Sequence, residues 1–199
     1  MKYKYFIMSL LFASLFSCKE GDSYNISQVT TFATFEYEPQ VVVEVGGSFT
    51  PNVVAKEGET TINSTYTGSV DVNTVGVYEI VYSATNTEGY DGTATQTVIV
   101  YDPTLTGTDM SGTIYQSNNA ARTGTVSLVT GTTNVYYATD VAFGGVFPMY
   151  FQMIGDVLEV IPQQFALGVT SVTASYDAVG RKISLTVFPQ EFSYIMVYN

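Results

Sequence analysis

Val77-Tyr78-Glu79-Ile80-Val81-Tyr82-Ser83-Ala84-Thr85 is the stretch of this 199-residue chain that predicts its fold most directly. Every second residue from Tyr78 to Ala84 is apolar, and Glu79 and Ser83 stand between them. Successive side chains of a strand point to opposite faces of a sheet, so this alternation predicts a strand with one face in a core. The stretch therefore indicates a sheet protein.

The segments around this strand predict a small domain at residues 39–102. Asn86-Thr87-Glu88-Gly89 is expected to be a turn, because Asn and Gly tolerate a positive φ. Thr95–Tyr101 then reads as the last strand, and Val41–Val45, followed by Gly46-Gly47, reads as the first. Helix formers are scarce, whereas Val, Thr, Tyr and Phe are abundant, which predicts an all-β protein.

The spaced motif Gly76-x-Tyr78-x-Ile80-x-Tyr82-x-Ala84-x-Asn86-x-x-Gly89, followed by Thr97-Val98-Ile99-Val100, resembles the immunoglobulin-like (Ig-like) repeats of bacterial surface proteins. These include repeats related to the crystal-toxin Ig-like domain. The resemblance implies a β-sandwich that serves as a spacer or interaction module, and it implies no ligand. Many such repeats have Asp where this chain has Asn86. Because Glu88 and Asp91 alone make no calcium site, we expect a tight turn there.

Residues 108–199 follow a short Pro/Gly/Thr linker at 103–107 and predict a second β-domain. Tyr176–Arg181 reads as a hairpin turn between two alternating strands. Short strands joined by turns favour an antiparallel meander that curls into a barrel or sandwich. The eight predicted strands are Gly112–Ser117, Arg122–Thr130, Asn134–Thr139, Val146–Ile154, Val157–Ile161, Val169–Tyr176, Lys182–Phe188 and Phe192–Tyr198.

The whole arrangement resembles a group of two-domain lipoproteins of gut Bacteroidetes with no assigned activity. In the second domain the resemblance is carried by Val135-Tyr136-Tyr137-Ala138-Thr139-Asp140, by Gly144-Gly145, and by Tyr176-Asp177 with Ile183-Ser184. Proteins of this group are often encoded beside glycan-uptake systems. The resemblance therefore implies glycan capture as an expected function.

Residues 1–17 predict a cleaved lipoprotein signal peptide. Lys2 and Lys4 precede an apolar run at 6–16, which is too short for a membrane-spanning helix. Leu15-Phe16-Ser17-Cys18 resembles the lipobox of bacterial lipoproteins, whose cysteine is acylated and becomes the new N-terminus. Two or three acyl chains on Cys18 would attach the protein stably to a membrane. As the sole cysteine of the chain, Cys18 can form no intrachain disulfide.

Residues 18–38 are predicted to be a tether, because they are polar and Thr-rich with little periodicity. The start of this segment, Cys18-Lys19-Glu20-Gly21-Asp22, resembles the export signals that some Bacteroidetes lipoproteins carry to reach the outer cell surface. We therefore expect a lipid anchor in the outer membrane with the protein at the cell surface; a periplasm-facing position is the alternative.

Charge and residue chemistry argue against several functional classes. Residues 18–199 include five basic and 18 acidic residues. This negative charge should make the protein repel nucleic acid and anionic lipid. The chain has no histidine, which removes catalytic triads and the commonest zinc ligand. Asp140 with Asp156 or Glu159 could form a carboxylate pair, but these acids lie beside turns, where solvated roles are more common. We predict no enzyme activity, no cofactor and no metal site.

Tyrosines are the remaining signal for binding, since the chain has 16 of them and no tryptophan. A sugar platform would have to use tyrosine rings, which pair an apolar face with a hydroxyl. Tyr136, Tyr137 and Tyr150 lie near Asp140 in sequence, and one of two adjacent strand residues must point out of the core. These four residues are the candidate ligand site; packing of the rings in the core is the alternative.

These features together predict a lipid-anchored envelope protein that binds a polysaccharide or another envelope protein, with recognition located in residues 108–199. The competing class is a structural, assembly or adhesin-like spacer with no small ligand. An exposed aromatic patch would favour binding. Long unpaired strand edges would favour assembly.

Overall fold

The computed structural model describes residues 30–142, 144 and 147–199, and this part of the chain folds into strands without a helix. The predicted all-β fold is confirmed. The predicted signal peptide, Cys18 and the tether up to residue 29 lie outside the described residues. Within the described residues no helix has the length and apolarity needed to cross a membrane.

The first seven strands form two sheets of an Ig-like sandwich. One sheet has the order β1-β3-β4 and the other the order β2-β7-β6-β5. Neighbouring strands are antiparallel except β2 and β7, which run parallel. The strands are β1 (Ala33–Glu36), β2 (Gln40–Glu44), β3 (Val54–Glu57), β4 (Thr60–Ile62), β5 (Thr65–Thr67), β6 (Gly76–Thr85) and β7 (Asp91–Tyr101).

The sandwich core lies on the face of β6 that the alternation predicts. Ile80 and Tyr82 are fully buried there and pack with Val98 and Val100 of β7. The Tyr82 hydroxyl donates to Gln96 Oε1 at 2.8 Å, so the buried polar groups satisfy each other. Burial of this one face against the other sheet is what holds the two sheets together.

The turn after β6 is built as the sequence predicts. The Asn86 side-chain oxygen accepts hydrogen bonds from the backbone N–H groups of Glu88 (3.1 Å) and Tyr90 (2.7 Å), and Gly89 has a φ of 86°. This is an Asx-type turn, in which the side chain replaces a backbone acceptor. Asn86 therefore closes a tight turn, as expected.

The start of the sandwich corrects the predicted tether. Ala33–Glu36 is a strand that pairs with β3, and Phe35 packs against the sandwich core. Lys56 Nζ lies 2.6 Å from Glu36 Oε1. Residues 33–36 therefore belong to the sandwich, and the predicted tether is wrong for them. Four residues within a Thr-rich stretch show too little alternation for sequence patterning to find them.

The remaining eight strands form one antiparallel sheet in which strands consecutive in the chain pair with each other, except the fifth and sixth, and the last strand pairs with the first. The sheet order is β12-β11-β10-β9-β8-β15-β14-β13. Its end strands, β12 and β13, lie side by side without a ladder, so the sheet is barrel-like and nearly closed. The strands are β8 (Gly112–Gln116), β9 (Asn119–Leu128), β10 (Val135–Ala138), β11 (Met149–Ile154), β12 (Val157–Val160), β13 (Ser171–Asp177), β14 (Lys182–Phe188) and β15 (Phe192–Tyr198).

Side chains fill the interior of this barrel-like sheet. Every one of the eight strands contributes at least one inward-pointing residue to the core, and Met149, Phe151 and Met153 of β11 are fully buried. Eight strands give an interior just wide enough for side chains to occupy. The predicted meander is therefore confirmed, in its barrel-like form.

The two domains share a second apolar cluster, which we call the junction cluster. Ile99 and Tyr101 of β7 are buried there against Val129, Val135 and Ile161 of the barrel-like domain. The sheet containing β7 is thus covered on both faces, by the sandwich core on one side and by the barrel-like domain on the other. Such double coverage explains why β7 is apolar at consecutive positions.

Hydrogen bonds fix the same junction. The Val77 N–H of β6 donates to the Pro162 carbonyl at 2.9 Å. In the linker, Leu105 O accepts from Thr133 Oγ1 at 3.1 Å, and Gly107 forms a parallel bridge with Gly155. The linker is thereby bound to the barrel-like domain rather than free in solvent.

Candidate functional site

A cleft of about 410 Å³ opens at the edge of the junction cluster, between β6 and β7 of the sandwich and the barrel-like domain. Its volume lies in the range of small-molecule sites. Both domains contribute walls, so the cleft exists only because the domains pack together. Its lining residues are Val77, Glu79, Thr97, Tyr137, Pro148, Tyr150, Gln163, Gln164, Phe165 and Ala166.

Two of the four predicted site residues are buried elsewhere. Tyr136 is 3% exposed; its ring stacks on Phe151 inside the barrel-like domain at a centroid distance of 5.5 Å. Asp140 is 2% exposed, and its carboxylate accepts hydrogen bonds from the N–H groups of Ala142 and Phe147 at 3.2 and 3.3 Å. These two residues cannot form an exposed patch, because one packs the core and the other fixes a loop.

Tyr137 and Tyr150, the other two predicted residues, line the cleft together. They face each other across β10 and β11, with ring centroids 4.7 Å apart and planes inclined by 44°. Both are half-buried on the outer face of the sheet, opposite in direction to Tyr136. The pair therefore forms an aromatic wall that has one side toward the open cleft.

The phenol of Tyr150 is held in its neutral form. Its hydroxyl donates to Gln40 Oε1 of β2 at 3.3 Å, across the domain junction. Burial, with a smaller contribution from Tyr137, raises the pKa of Tyr150 to about 12. Tyr150 is thus a hydrogen-bonding group without charge at physiological pH.

Gln163 positions Tyr150 by replacing a strand neighbour. Its side-chain oxygen accepts from the Tyr150 N–H at 3.0 Å, and its side-chain nitrogen donates to the carbonyls of Tyr150 at 2.7 Å and Ile161 at 2.9 Å. The side-chain amide completes the backbone hydrogen bonding of Tyr150 just past the end of β12. Gln163 is a positioning residue, since its amide is fully used inside the protein.

Four polar groups in the cleft have no hydrogen-bond partner among the described residues. They are the Glu79 carboxylate, the Thr97 hydroxyl, the Tyr137 hydroxyl and the Gln164 amide. These groups supply donors and acceptors beside an aromatic wall. The arrangement can hold an amphipathic ligand, with apolar surface on the rings and polar groups on the amide, hydroxyls and carboxylate.

The carboxylate pairs suggested by the sequence are not assembled. Asp140 is buried, Asp156 bonds to the Thr108 hydroxyl, and Glu159 accepts from Gln152 Nε2 at 3.1 Å. Among the described residues, no three His, Cys, Asp or Glu side chains are placed to hold a metal ion. Glu79 is the acidic residue that lines the cleft.

Sequence patterning missed the sandwich half of the cleft, which is formed by Val77, Glu79 and Thr97. It placed recognition in residues 108–199, whereas the cleft is built from both domains. The available signal was Val98-Ile99-Val100, a run apolar at consecutive positions. Such a run indicates a strand covered on both faces, and hence a second layer beyond the sandwich.

Comparisons with known proteins bear on the sandwich. No curated protein matches the chain. Among solved structures, the crystal structure of the lipoprotein BT2262 from Bacteroides thetaiotaomicron is similar, with 22% sequence identity and a TM-score of 0.41, over 84% of this chain and 100% of that chain. The family model described as bacterial surface protein, Ig-like domain, matches residues 33–100. Residues 33–100 are therefore an Ig-like domain of the bacterial surface protein type, as the resemblance of the β6 motif implies.

Proposed function

We propose that this protein captures a polysaccharide in the cleft between its two domains. The observation that carries the proposal is the Tyr137–Tyr150 wall beside the unpartnered Gln164 amide and Thr97 hydroxyl. A sugar ring has apolar C–H faces and a polar rim. Tyrosine rings can cover the first while amides and hydroxyls bond the second.

The position of the protein follows from its N-terminal sequence. We propose that Cys18 carries the lipid that anchors the chain in the outer membrane, with the binding domains at the cell surface. The bacterial surface type of Ig-like domain supports a place in the cell envelope. Mass spectrometry of the membrane-extracted protein should find an N-terminal peptide that begins at acylated Cys18, and Cys18→Ala should abolish membrane retention. A membrane-bound chain that retains residues 1–17 would contradict the anchor.

A spacer or assembly role is the competing function. The short edges of the sheets argue against assembly by strand pairing. The sandwich edge strands β1, β2, β4 and β5 are three to five residues long, and the seven-residue edge strand β13 of the barrel-like sheet lies beside its other edge strand, β12. Short edges of this kind offer little template for pairing with another chain. The described lining of the cleft also offers less support for a catalytic role, because it holds one carboxylate, and glycoside hydrolysis ordinarily uses two.

Affinity gel electrophoresis tests the proposal on the detergent-extracted full chain. Soluble starch, xylan, galactomannan, mixed-linkage β-glucan and pectin would be cast into native gels. We expect retardation by at least one polysaccharide. Tyr137→Ala should weaken that binding by about fivefold or more, which corresponds to about 1 kcal/mol.

The matched control is Tyr115→Ala, which removes a half-buried tyrosine of β8 that does not line the cleft. Its retardation should equal that of the unaltered chain. An equal loss in both variants would show that the cleft is not the binding site. No retardation by any of the polysaccharides would contradict the proposed function and favour the spacer role.

A further inference from the structure

We infer that the cleft is selective for uncharged sugars and rejects glycans that carry carboxylate or sulfate groups, and that Glu79 of the Ig-like domain imposes this selection. The inference rests on the proposed function, because it names the ligand class of the same cleft. It also assigns the Ig-like domain a direct part in recognition.

The backbone fixes Glu79 at the wall of the cleft. Glu79 lies two residues after Val77, so both side chains are on the face of β6 that meets the barrel-like domain. The Val77 N–H is bonded to the Pro162 carbonyl at 2.9 Å, which holds this part of β6 against the second domain. Thr97 is paired with Glu79 in the β6–β7 ladder and lines the cleft beside it.

Among the described residues that line the cleft, no positive group compensates Glu79. Of the residues that line it, Glu79 is the only charged one among those the structure describes. The four basic residues of the described chain are used elsewhere or lie outside the cleft. Lys56 pairs with Glu36, Arg122 donates to Gln116, Arg181 stacks over Tyr198, and Lys182 lies at the start of β14.

The same carboxylate acts in opposite ways on the two ligand classes. A sugar hydroxyl can donate a hydrogen bond to it, and hydrogen bonds to ionised acceptors are stronger than neutral ones. Glu79 is exposed at the open side of the cleft, so an anionic sugar seated there brings a second negative charge within a Debye length of it, where the two charges repel. Its own anionic group finds no lysine or arginine there. The cleft should therefore separate two polymers that share a backbone and of which only one carries anionic substituents.

Matched polymer pairs test this selection on the detergent-extracted full chain. The pairs are hydroxyethyl cellulose with carboxymethyl cellulose, methyl-esterified with de-esterified homogalacturonan, and unsubstituted xylan with glucuronoxylan. Affinity electrophoresis gives an association constant for each polymer. For any backbone that the unaltered chain binds, we expect the neutral member to bind at least about tenfold more tightly at low ionic strength.

The variants Glu79→Lys and Glu88→Lys change the net charge equally and both replace exposed residues, but Glu88 lies in the turn after β6 and does not line the cleft. Glu79→Lys should raise the ratio of the association constants for the anionic and the neutral polymer about tenfold or more. For the unaltered chain, 1 M salt should reduce the selection, because the Debye length falls to about 3 Å. Glu88→Lys should leave the ratio unchanged.

Two failures would be distinguishable. If a polymer binds in a Tyr137-dependent manner and its anionic form binds equally well, or if Glu88→Lys alters the ratio as much as Glu79→Lys, the selection is wrong while the proposed function stands. If no polymer of any pair binds to any variant, and soluble starch, galactomannan and mixed-linkage β-glucan also fail to retard the unaltered chain, both are overturned.

Discussion

The barrel core and the junction cluster are both apolar, but they pack to different degrees of completeness. In the barrel core, rings such as Tyr136 and Phe151 are buried and stack on each other at a centroid distance of 5.5 Å. At the junction, Ile99 and Val135 are fully buried, whereas Tyr137 and Tyr150 at the margin are half-covered. A complete core stabilises the fold, and an incomplete one between two domains leaves a cleft with aromatic walls.

The largest difference between the two regions should appear when adjacent tyrosines are truncated. Tyr136→Ala removes a buried ring and should lower the free energy of unfolding by about 3–5 kcal/mol. Tyr137→Ala removes a partly buried ring and should cost less, about 1–2 kcal/mol, because part of the ring already faces water. Urea denaturation of both variants measures the difference. Equal losses would mean that the inner and outer faces of β10 are not distinct.

The junction cluster itself should contribute to stability. Ile99→Ala creates a cavity between the two domains and should lower the free energy of unfolding by about 2–4 kcal/mol. Val45→Ala, at an exposed site just after β2, is the matched control and should stay within about 0.5 kcal/mol. The measurement is again urea denaturation. An Ile99→Ala chain as stable as the control would show that the domains do not support each other.

A smaller effect is expected at Gln163, whose amide serves the protein rather than the ligand. Gln163→Ala leaves the N–H and carbonyl of Tyr150 without these partners and should cost about 1–2 kcal/mol. Gln164→Ala, one residue along the same loop, removes an exposed amide and should change stability by less than about 0.5 kcal/mol. Thermal unfolding of the two variants gives the comparison, and the reverse order would contradict the assigned roles.

The smallest effect concerns pH. Tyr150 has a folded-state pKa of about 12 against an ordinary value of 10.0, so the unfolded chain loses this proton first. The stability linked to Tyr150 is therefore fully present below pH 10 and is lost as the pH rises toward 12. Tyr150→Phe should lose less stability over that interval than the unaltered chain. Parallel pH profiles of the two chains, measured by urea denaturation, would contradict this assignment.

Alternation in the sequence predicts a strand face well when one side of the strand meets water. Ile80 and Tyr82 of β6 are buried where the pattern puts them, and all eight strands of the barrel-like domain are found near their predicted bounds. Where both faces of a strand are covered, the sequence pattern does not show which face each side chain is on. Val135, Tyr136, Tyr137 and Ala138 of β10 are all apolar or aromatic, so the sequence requires opposite directions for the two rings without saying which points outward.

The cleft could not be predicted from the sequence, for a related reason. Its walls come from Val77–Thr97 in one domain and from Tyr137–Ala166 in the other, and they meet only through the packing of one domain on the other. No local pattern encodes that contact. The nearest indication is the surplus of apolar residues in β7, which shows that a second layer must exist but not where it lies.

The most direct test of a glycan-binding cleft uses the absence of tryptophan from the chain. Tyr137→Trp places a single indole in the aromatic wall, and Tyr115→Trp places one on β8 outside the cleft. The measurement is tryptophan emission during titration with the neutral polysaccharide that retards the unaltered chain most strongly. If the cleft binds the glycan, the emission of Tyr137→Trp should show a saturable change in intensity or wavelength, and that of Tyr115→Trp should show none. Saturable binding that leaves the emission of Tyr137→Trp unchanged, or that alters Tyr115→Trp instead, would contradict it.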